Sequence, residues 1–450
     1  MARKVFISVL GASNYGACYY TKENIGYKSN CVRYIQEATL EYLMKEEEWT
    51  SNDIAYILLT KDGNKPGEEG SKTKNWIDNG HKDFNTKQPI IQTGLCTQLQ
   101  QMNLPFAIEA IDELPIGNNE EEIWNIFERT FEKIQDEDEL FFDLTHGFRY
   151  LPMLILVLGN YSKFLKNIKI KSITYGNYEG RNRETNEAPI IDLLPLSSLQ
   201  DWTYAAGQYL NSGNVDNLIK LCENEYKPIL KETKGNDINA ANLRNFTNAL
   251  HSVIEERQTC RGISIINSEN FKKLKQTSEK ISSTTIEPLN PIFTKIKASF
   301  FTFDENENIM NGYAAAVWCF QNKLYQQAAT ILQEFVISFL CQQYNIAIDN
   351  EDKRDLVTSA FAIKFNKITE DKWRNREEDK EIIRKILCDN LLNNEEMVSS
   401  FNNLSEVRND FNHSGMRSKR SPMKPKSIKS NIESCINAFE EIVSKTNESC

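Results

Sequence analysis

The strongest constraint on the fold is a change of rhythm near residue 196. Before it, six short apolar runs recur: KVFISVL (4–10), IAYILLT (54–60), FAIEAI (106–111), ELFFDLT (139–145), IKIKSITYG (168–176) and PIIDLL (189–194). Several are almost unbroken in apolar residues, the pattern of strands covered by helices on both faces. Helical patterns fall between them, at 28–45, 118–136 and 150–164. The alternation predicts an α/β sheet domain over 1–195.

After residue 196 the apolar residues recur at three- and four-residue spacing, as in NLRNFTNALHSVIEE and LYQQAATILQEFVISFL, which predicts an all-α second half. Residues 196–300 read as a helical connector and 301–450 as the terminal helical domain. A chain of 450 residues is too long for one ordinary core, so two domains are expected.

A net charge of -10 argues against a protein that coats nucleic acid by global attraction, so any such contact must be local. The ten cysteines are scattered without a Cys-x-x-Cys pair or a histidine at ligand spacing, and read as reduced core residues of a cytoplasmic protein. The run from Val5 to Leu10 is too short for a signal peptide and reads as a buried first strand. No apolar segment approaches the ~18 residues of a membrane span.

Two loops stand out because each follows a strand. GASNYG (11–16) follows the first, and DLTHGFRYLP (143–152) follows the fourth. Ligands of open α/β sheets collect at the carboxyl ends of strands, and Pro152 suits the first turn of a helix, which would put Thr145, His146 and Gly147 beside an anion-binding helix start. GASNYG lacks the Gly-x-Gly-x-x-Gly order and the Gly-Lys-Ser/Thr of a P-loop. Taken singly, either loop is equally a tight turn; the pair points to a phosphate-containing ligand.

Together these two motifs resemble the CARF sensor domain of the accessory ribonucleases of type III CRISPR systems, which join an N-terminal CARF domain to a C-terminal helical HEPN domain. The resemblance implies a Rossmann-like α/β domain that binds a cyclic oligoadenylate, with cyclic tetra-adenylate favoured as activator and no other cofactor. Carried onto this chain, Gly11, Ser13, Asn14 and Tyr15 would line the ligand from the first loop, and Thr145, His146, Gly147 and Arg149 from the second. Lys61, at the end of the second strand run, reads more simply as a surface lysine.

Near the end of the helical half stands RNDFNHSG (408–415). Leu404, Val407 and Phe411 form one apolar face, while Arg408 and His413 are turned about 140° apart on an ideal helix. They converge only if the helix ends there, and Ser414-Gly415 is a suitable end. One copy alone makes a poor active site.

Arg-x-x-x-x-His with a polar residue after the arginine, here Asn409, resembles the motif of HEPN ribonucleases. The resemblance implies a homodimer, or a higher even oligomer, in which two copies build one metal-independent site. The ribose 2′-OH of single-stranded RNA would attack the adjacent phosphate to leave a 2′,3′-cyclic phosphate. His413 would move the proton, Arg408 would hold the phosphate and Asn409 would orient it. RSKRSPMKPKSIK (417–429) carries six basic residues and no acid; such a run usually means a solvated loop, and its place after His413 also suits Arg417, Lys419 and Arg420 as an RNA-backbone guide. No spacing of acids suggests a two-metal site. Two other readings stay open: a CARF sensor without catalysis, and a ring nuclease that degrades the cyclic ligand.

Overall fold

The structure is a computed structural model describing residues 2–11, 13, 15–60, 74–77, 86, 88, 93–147, 150–281, 289–300, 302–417 and 421–448. The chain divides into two compact units, Met1–Ser198 and Leu199–Cys450.

The first unit holds one sheet with eight strands among the described residues: β1 Lys4–Leu10, β2 Cys18–Lys22, β3 Tyr27–Val32, β4 Ile54–Thr60, β5 Ala107–Leu114, β6 Glu139–Asp143, β7 Lys169–Gly176 and β8 Glu187–Asp192. Their order is β3-β2-β8-β7-β6-β1-β4-β5. β1 pairs in parallel with β4 and β6, and β5 and β7 extend this parallel core. β8 runs antiparallel to β7, and β3 antiparallel to β2.

β1 is buried from Val5 to Leu10 because both its faces are covered. Phe6 and Leu10 enter one cluster with Ile35 and Tyr42 of helix α1 (Ile35–Glu46). A short helix α2 (Lys74–Ile77) and helix α3 (Leu95–Gln101) add Trp76, Leu95 and Leu99 to that side. Val5, Ile7 and Val9 face the other cluster, built with Ile126 of α4 (Glu120–Phe131) and Leu154 of α5 (Leu151–Lys166). The period of two along the strand thus divides its side chains between two helical layers.

The helix expected over 28–45 begins only at Ile35. Ahead of it, Tyr27 and Ser29 are buried while Lys28 and Asn30 are exposed, the alternation of a strand, and β3 pairs with β2. The strand expected over 189–194 lies two residues earlier, at Glu187–Asp192.

From Leu194–Ser212 to Pro425–Glu448 every element among the described residues is helical. Residues 196–300, expected as a connector, share one buried cluster with 301–450: Trp202, Phe246 and Phe293 belong to it with Phe335, Leu404 and Phe439. Of the described cysteines, Cys18, Cys222, Cys319, Cys341 and Cys435 are buried in the core as expected, whereas Cys31 and Cys388 are exposed and do not belong to it. No helix among the described residues is long and apolar enough to cross a membrane.

Candidate functional sites

The chain leaving β1 re-enters the sheet at β2, beyond β8, and the chain leaving β6 re-enters at its neighbour β7. Because β1 and β6 are adjacent and parallel, the loops that follow them emerge side by side at the carboxyl ends of the strands, where ligands of open α/β sheets collect. A cavity of about 550 Å³ lies there, lined from both loops and by Arg33, Tyr175 and Tyr178.

The support of its loops follows from strand register. Parallel pairing sets Ser8 of β1 beside Asp143 of β6, both fully buried. Ser8 Oγ donates to Asp143 Oδ2 at 2.6 Å, and Gln36 Nε2 donates to Ser8 Oγ and to the Val9 carbonyl, each at 3.0 Å. Thr145 Oγ1 donates to Asp143 Oδ1 and accepts from Gly176 N at 2.7 Å. Burial pushes the Asp143 carboxyl up, while the donors from Ser8 and Thr145 hold it down. This network ties β1, α1, β6 and β7 together beneath the loops.

Gly11, Ser13, Tyr15, Thr145, His146 and Gly147 all line the cavity, so the two loops read from the sequence do meet. Asn14 and Arg149 lie outside the described residues, as does Lys61. The Thr145 hydroxyl is committed to Asp143 and Gly176, so its contribution is to hold the second loop. The Tyr15 hydroxyl accepts from Gly11 N at 2.9 Å, and its ring stacks on His146 with centroids 3.9 Å apart. One face of Tyr15 is therefore already occupied. Burial pulls the His146 imidazole down to about 3, leaving it neutral at physiological pH, with a buried Nε2 that has no hydrogen-bond partner.

Gly147 has φ +116, and a Cβ there would lie 2.8 Å from both Val9 Cγ1 and Leu151 Cδ1. A glycine is required because the second loop crosses directly over β1. A side chain at Gly16 would overlap the Tyr178 hydroxyl.

Sequence reasoning missed several contributors. Arg33, half-buried at the cavity wall, supplies a guanidinium just before α1. Asn75, fully buried, donates to the carbonyls of Gly11 and Ser13 at 2.7 and 2.8 Å, pinning the first loop. Tyr178 carries the Arg181 guanidinium 3.9 Å from its ring centre. None lies in a local motif: Arg33 and Tyr178 line the cavity and Asn75 holds the loop beside it, each through long-range packing.

The second candidate site is the end of the helix Glu395–Asn412. Asn394 caps its start by accepting from Met397 N at 2.9 Å. Met397, Phe401, Leu404 and Val407 are buried, and Phe361 stacks on Phe401 at 3.9 Å. The helix stops at His413, and left-handed Ser414 (φ 51) and Gly415 (φ 72) turn the chain away. Gly415 N donates to the Asp410 carbonyl at 2.8 Å, closing the last turn.

Burial of Leu404 and Val407 leaves Arg408 half-buried, with Asn409 and His413 exposed. No hydrogen bond joins the Arg408 and His413 side chains. Instead Arg408 Nη1 pairs with Glu334 Oε1 at 3.0 Å, and Arg354 Nη2 pairs with Glu334 Oε2 at 2.6 Å. Arg354 also donates to Ser338 Oγ and the Ile348 carbonyl at 2.8 and 2.9 Å. Glu334 and Arg354 had no local signal beyond their amphipathic helices.

Arg417 is held by Glu406 at 2.6 Å, which directs it back onto the helix carrying Arg408. Lys419 and Arg420 lie outside the described residues. From Pro425 the basic stretch is helical. Among the described residues no group of three or more His, Cys, Asp or Glu could hold a metal ion.

Residues 5–179 match the family described as CRISPR system endoribonuclease Csx1, CARF domain. The CRISPR-associated protein MJ1674 of Methanocaldococcus jannaschii is 27% identical over 235 residues, which is 51% of this chain and 34% of that protein. The chain thus spans about a third of that relative's length. The structure of Enterococcus italicus Csm6 bound to cyclic hexa-2′-fluoro-hexa-dAMP aligns over 100% of this chain and 95% of its own, with 10% identity and a TM-score of 0.44. The family match spans β1 to β7 and both loops of the cavity, so the first unit is a CARF domain of the CRISPR-associated kind.

Proposed function

We propose that the chain is a cytoplasmic, cyclic-oligoadenylate-activated endoribonuclease that cuts single-stranded RNA without a metal in type III CRISPR antiviral defence, its helical unit being a HEPN domain. The observation that carries the reading is the end of Glu395–Asn412, where a buried face holds Arg408 and His413 at the edge of the helical unit. The family matched by the other unit is described as an endoribonuclease, which supports it.

The chemistry is within reach of these groups. A new bond forms from the ribose 2′-oxygen to phosphorus, and the bond to the 5′-oxygen breaks. The 2′-OH proton passes to one His413, and the 5′-oxygen leaves with a proton from the His413 of a second copy. Arg408 balances charge on the phosphate oxygens, and Asn409 orients the phosphate.

A two-fold dimer brings the two histidines and two arginines to one site. On α5, Met153, Val157 and Phe164 are exposed at 68%, 53% and 86%, an apolar stripe that a second copy would cover. That helix begins directly after the second cavity loop, so a ring bound between two copies would act on the same element. Tighter binding of the ring to the active arrangement would shift the pair of helical units towards cleavage. An even-membered ring suits the two-fold axis, and cyclic tetra-adenylate is the favoured activator.

The test is cleavage of a fluorescent single-stranded RNA in EDTA with cyclic tri-, tetra- and hexa-adenylate in separate reactions, for the unaltered protein and His413→Ala. Cutting by the unaltered protein with the tetra-adenylate, and none by the variant, is expected. Binding of a ring without cutting would end the nuclease reading and leave a sensor.

A further inference from the structure

Beside the Arg408–Glu334 pair the helical unit contains a cavity of about 350 Å³, within the range of about 300–1,000 Å³ usual for small-molecule sites. Ile263, Ile266 and Ile331 give it apolar lining, while Glu334, Asp349 and Arg354 are among its polar groups. Ile263 is 53% exposed, so apolar surface stands open to an incoming flat group.

The charged part of this lining is rich in acceptors: Glu334, Asp349 and Glu351 are carboxylates, beside the hydroxyls of Thr330 and of Ser338, which already donates to the Glu334 carbonyl. Arg354 spends its terminal nitrogens on Ser338 Oγ, the Ile348 carbonyl and Glu334. It orients the Glu334 carboxylate and has little left to donate. Each Glu334 oxygen receives one arginine and keeps a second lone-pair direction. Asp349 adds another acceptor. A cavity with apolar walls and a carboxylate edge accepts a flat heterocycle that presents N–H donors. It opposes one that presents two carbonyls, because their lone pairs would be buried against carboxylates.

We propose that this cavity is a nucleobase subsite for the nucleotide next to the cut, selecting bases with an exocyclic amino group over uracil. The inference rests on the ribonuclease reading of Arg408. Glu334 links the two events: the carboxylate that receives the base also holds the arginine that meets the phosphate.

The test uses single-stranded RNAs identical except for A, C, G or U at each position flanking the cut, with unaltered protein, Ile263→Trp and Asp349→Asn. Expected is a preference of roughly tenfold in kcat/KM for the amino-bearing bases at one position. Ile263→Trp, which fills the mouth, should bring the four bases within about twofold by raising KM for the preferred ones. Asp349→Asn should narrow the gap by admitting uracil, with ring binding unaltered in both variants. A base preference unchanged in both variants, or a preference for uracil, would overturn the subsite. If the unaltered protein cuts no RNA, the ribonuclease reading has failed, and binding of 2′-O-methyl oligonucleotides decides the subsite by itself. Equal affinity for all four bases, or for unaltered protein and Ile263→Trp, would then refute it.

Discussion

Arg408 Nη1 stands 3.0 Å from Glu334 Oε1, and the other oxygen of that carboxylate holds Arg354 at 2.6 Å. One acid therefore fixes two arginines from two further helices. Removing it in Glu334→Ala leaves two like charges adjacent. These side chains are partly exposed, so the expected loss is about 1 kcal/mol, read from urea unfolding. Cleavage should fall far more than stability, because Arg408 loses its fixed position, while ring affinity stays unaltered.

Ser8→Ala removes a donor from the buried Asp143 carboxylate and a partner from Gln36. The expected cost is about 1–3 kcal/mol. Since Thr145 shares that carboxylate, the second loop should loosen too. Calorimetry should show weaker ring binding in Ser8→Ala, with the helical unit's far-ultraviolet signal unchanged.

Gly147→Ala places a Cβ in a left-handed backbone and 2.8 Å from Val9 and Leu151. Backbone strain of about 1–3 kcal/mol is expected, with loss of ring binding because the loop must lift off β1. Ring binding equal to that of the unaltered protein would contradict the close crossing of loop and strand.

Burial holds His146 neutral down to about 3, whereas an unfolded chain protonates its histidine near 6.5. Between these values the unfolded state binds the extra proton. The depressed folded pKa therefore contributes stability that is complete above about 6.5 and is lost as pH falls, by up to about 1.4 kcal/mol per pH unit. Melting curves from about pH 7 to about pH 4 should show a smaller fall for His146→Phe than for the unaltered protein.

Much of the architecture was readable because burial on both faces forces continuous apolar runs. β1, β4 and β7 lie where KVFISVL, IAYILLT and IKIKSITYG predict them, within one residue. β2 and β3 were missed because CYYTK and YKSNCV are half polar, and in a short stretch such a pattern competes poorly with the helical spacing that follows. The cavity loops were readable through glycines and a strand-to-helix position. Gln36, Asn75 and Tyr178 were not, since polar side chains far apart in sequence carry no mark of their pairing.

By itself the sequence determined that an α/β unit is followed by a helical one, and that Gly11, His146, Arg408 and His413 are the residues to examine. Periodicity and turn chemistry are local, and local rules suffice for that. The tertiary structure alone decided how those residues are engaged. Strand register set Ser8 against Asp143, loop contact stacked Tyr15 on His146, and helix packing joined Arg408 to Glu334 and Arg354. These relationships depend on three-dimensional closeness between distant segments, and a linear pattern of residue types does not encode which partner each polar group will find.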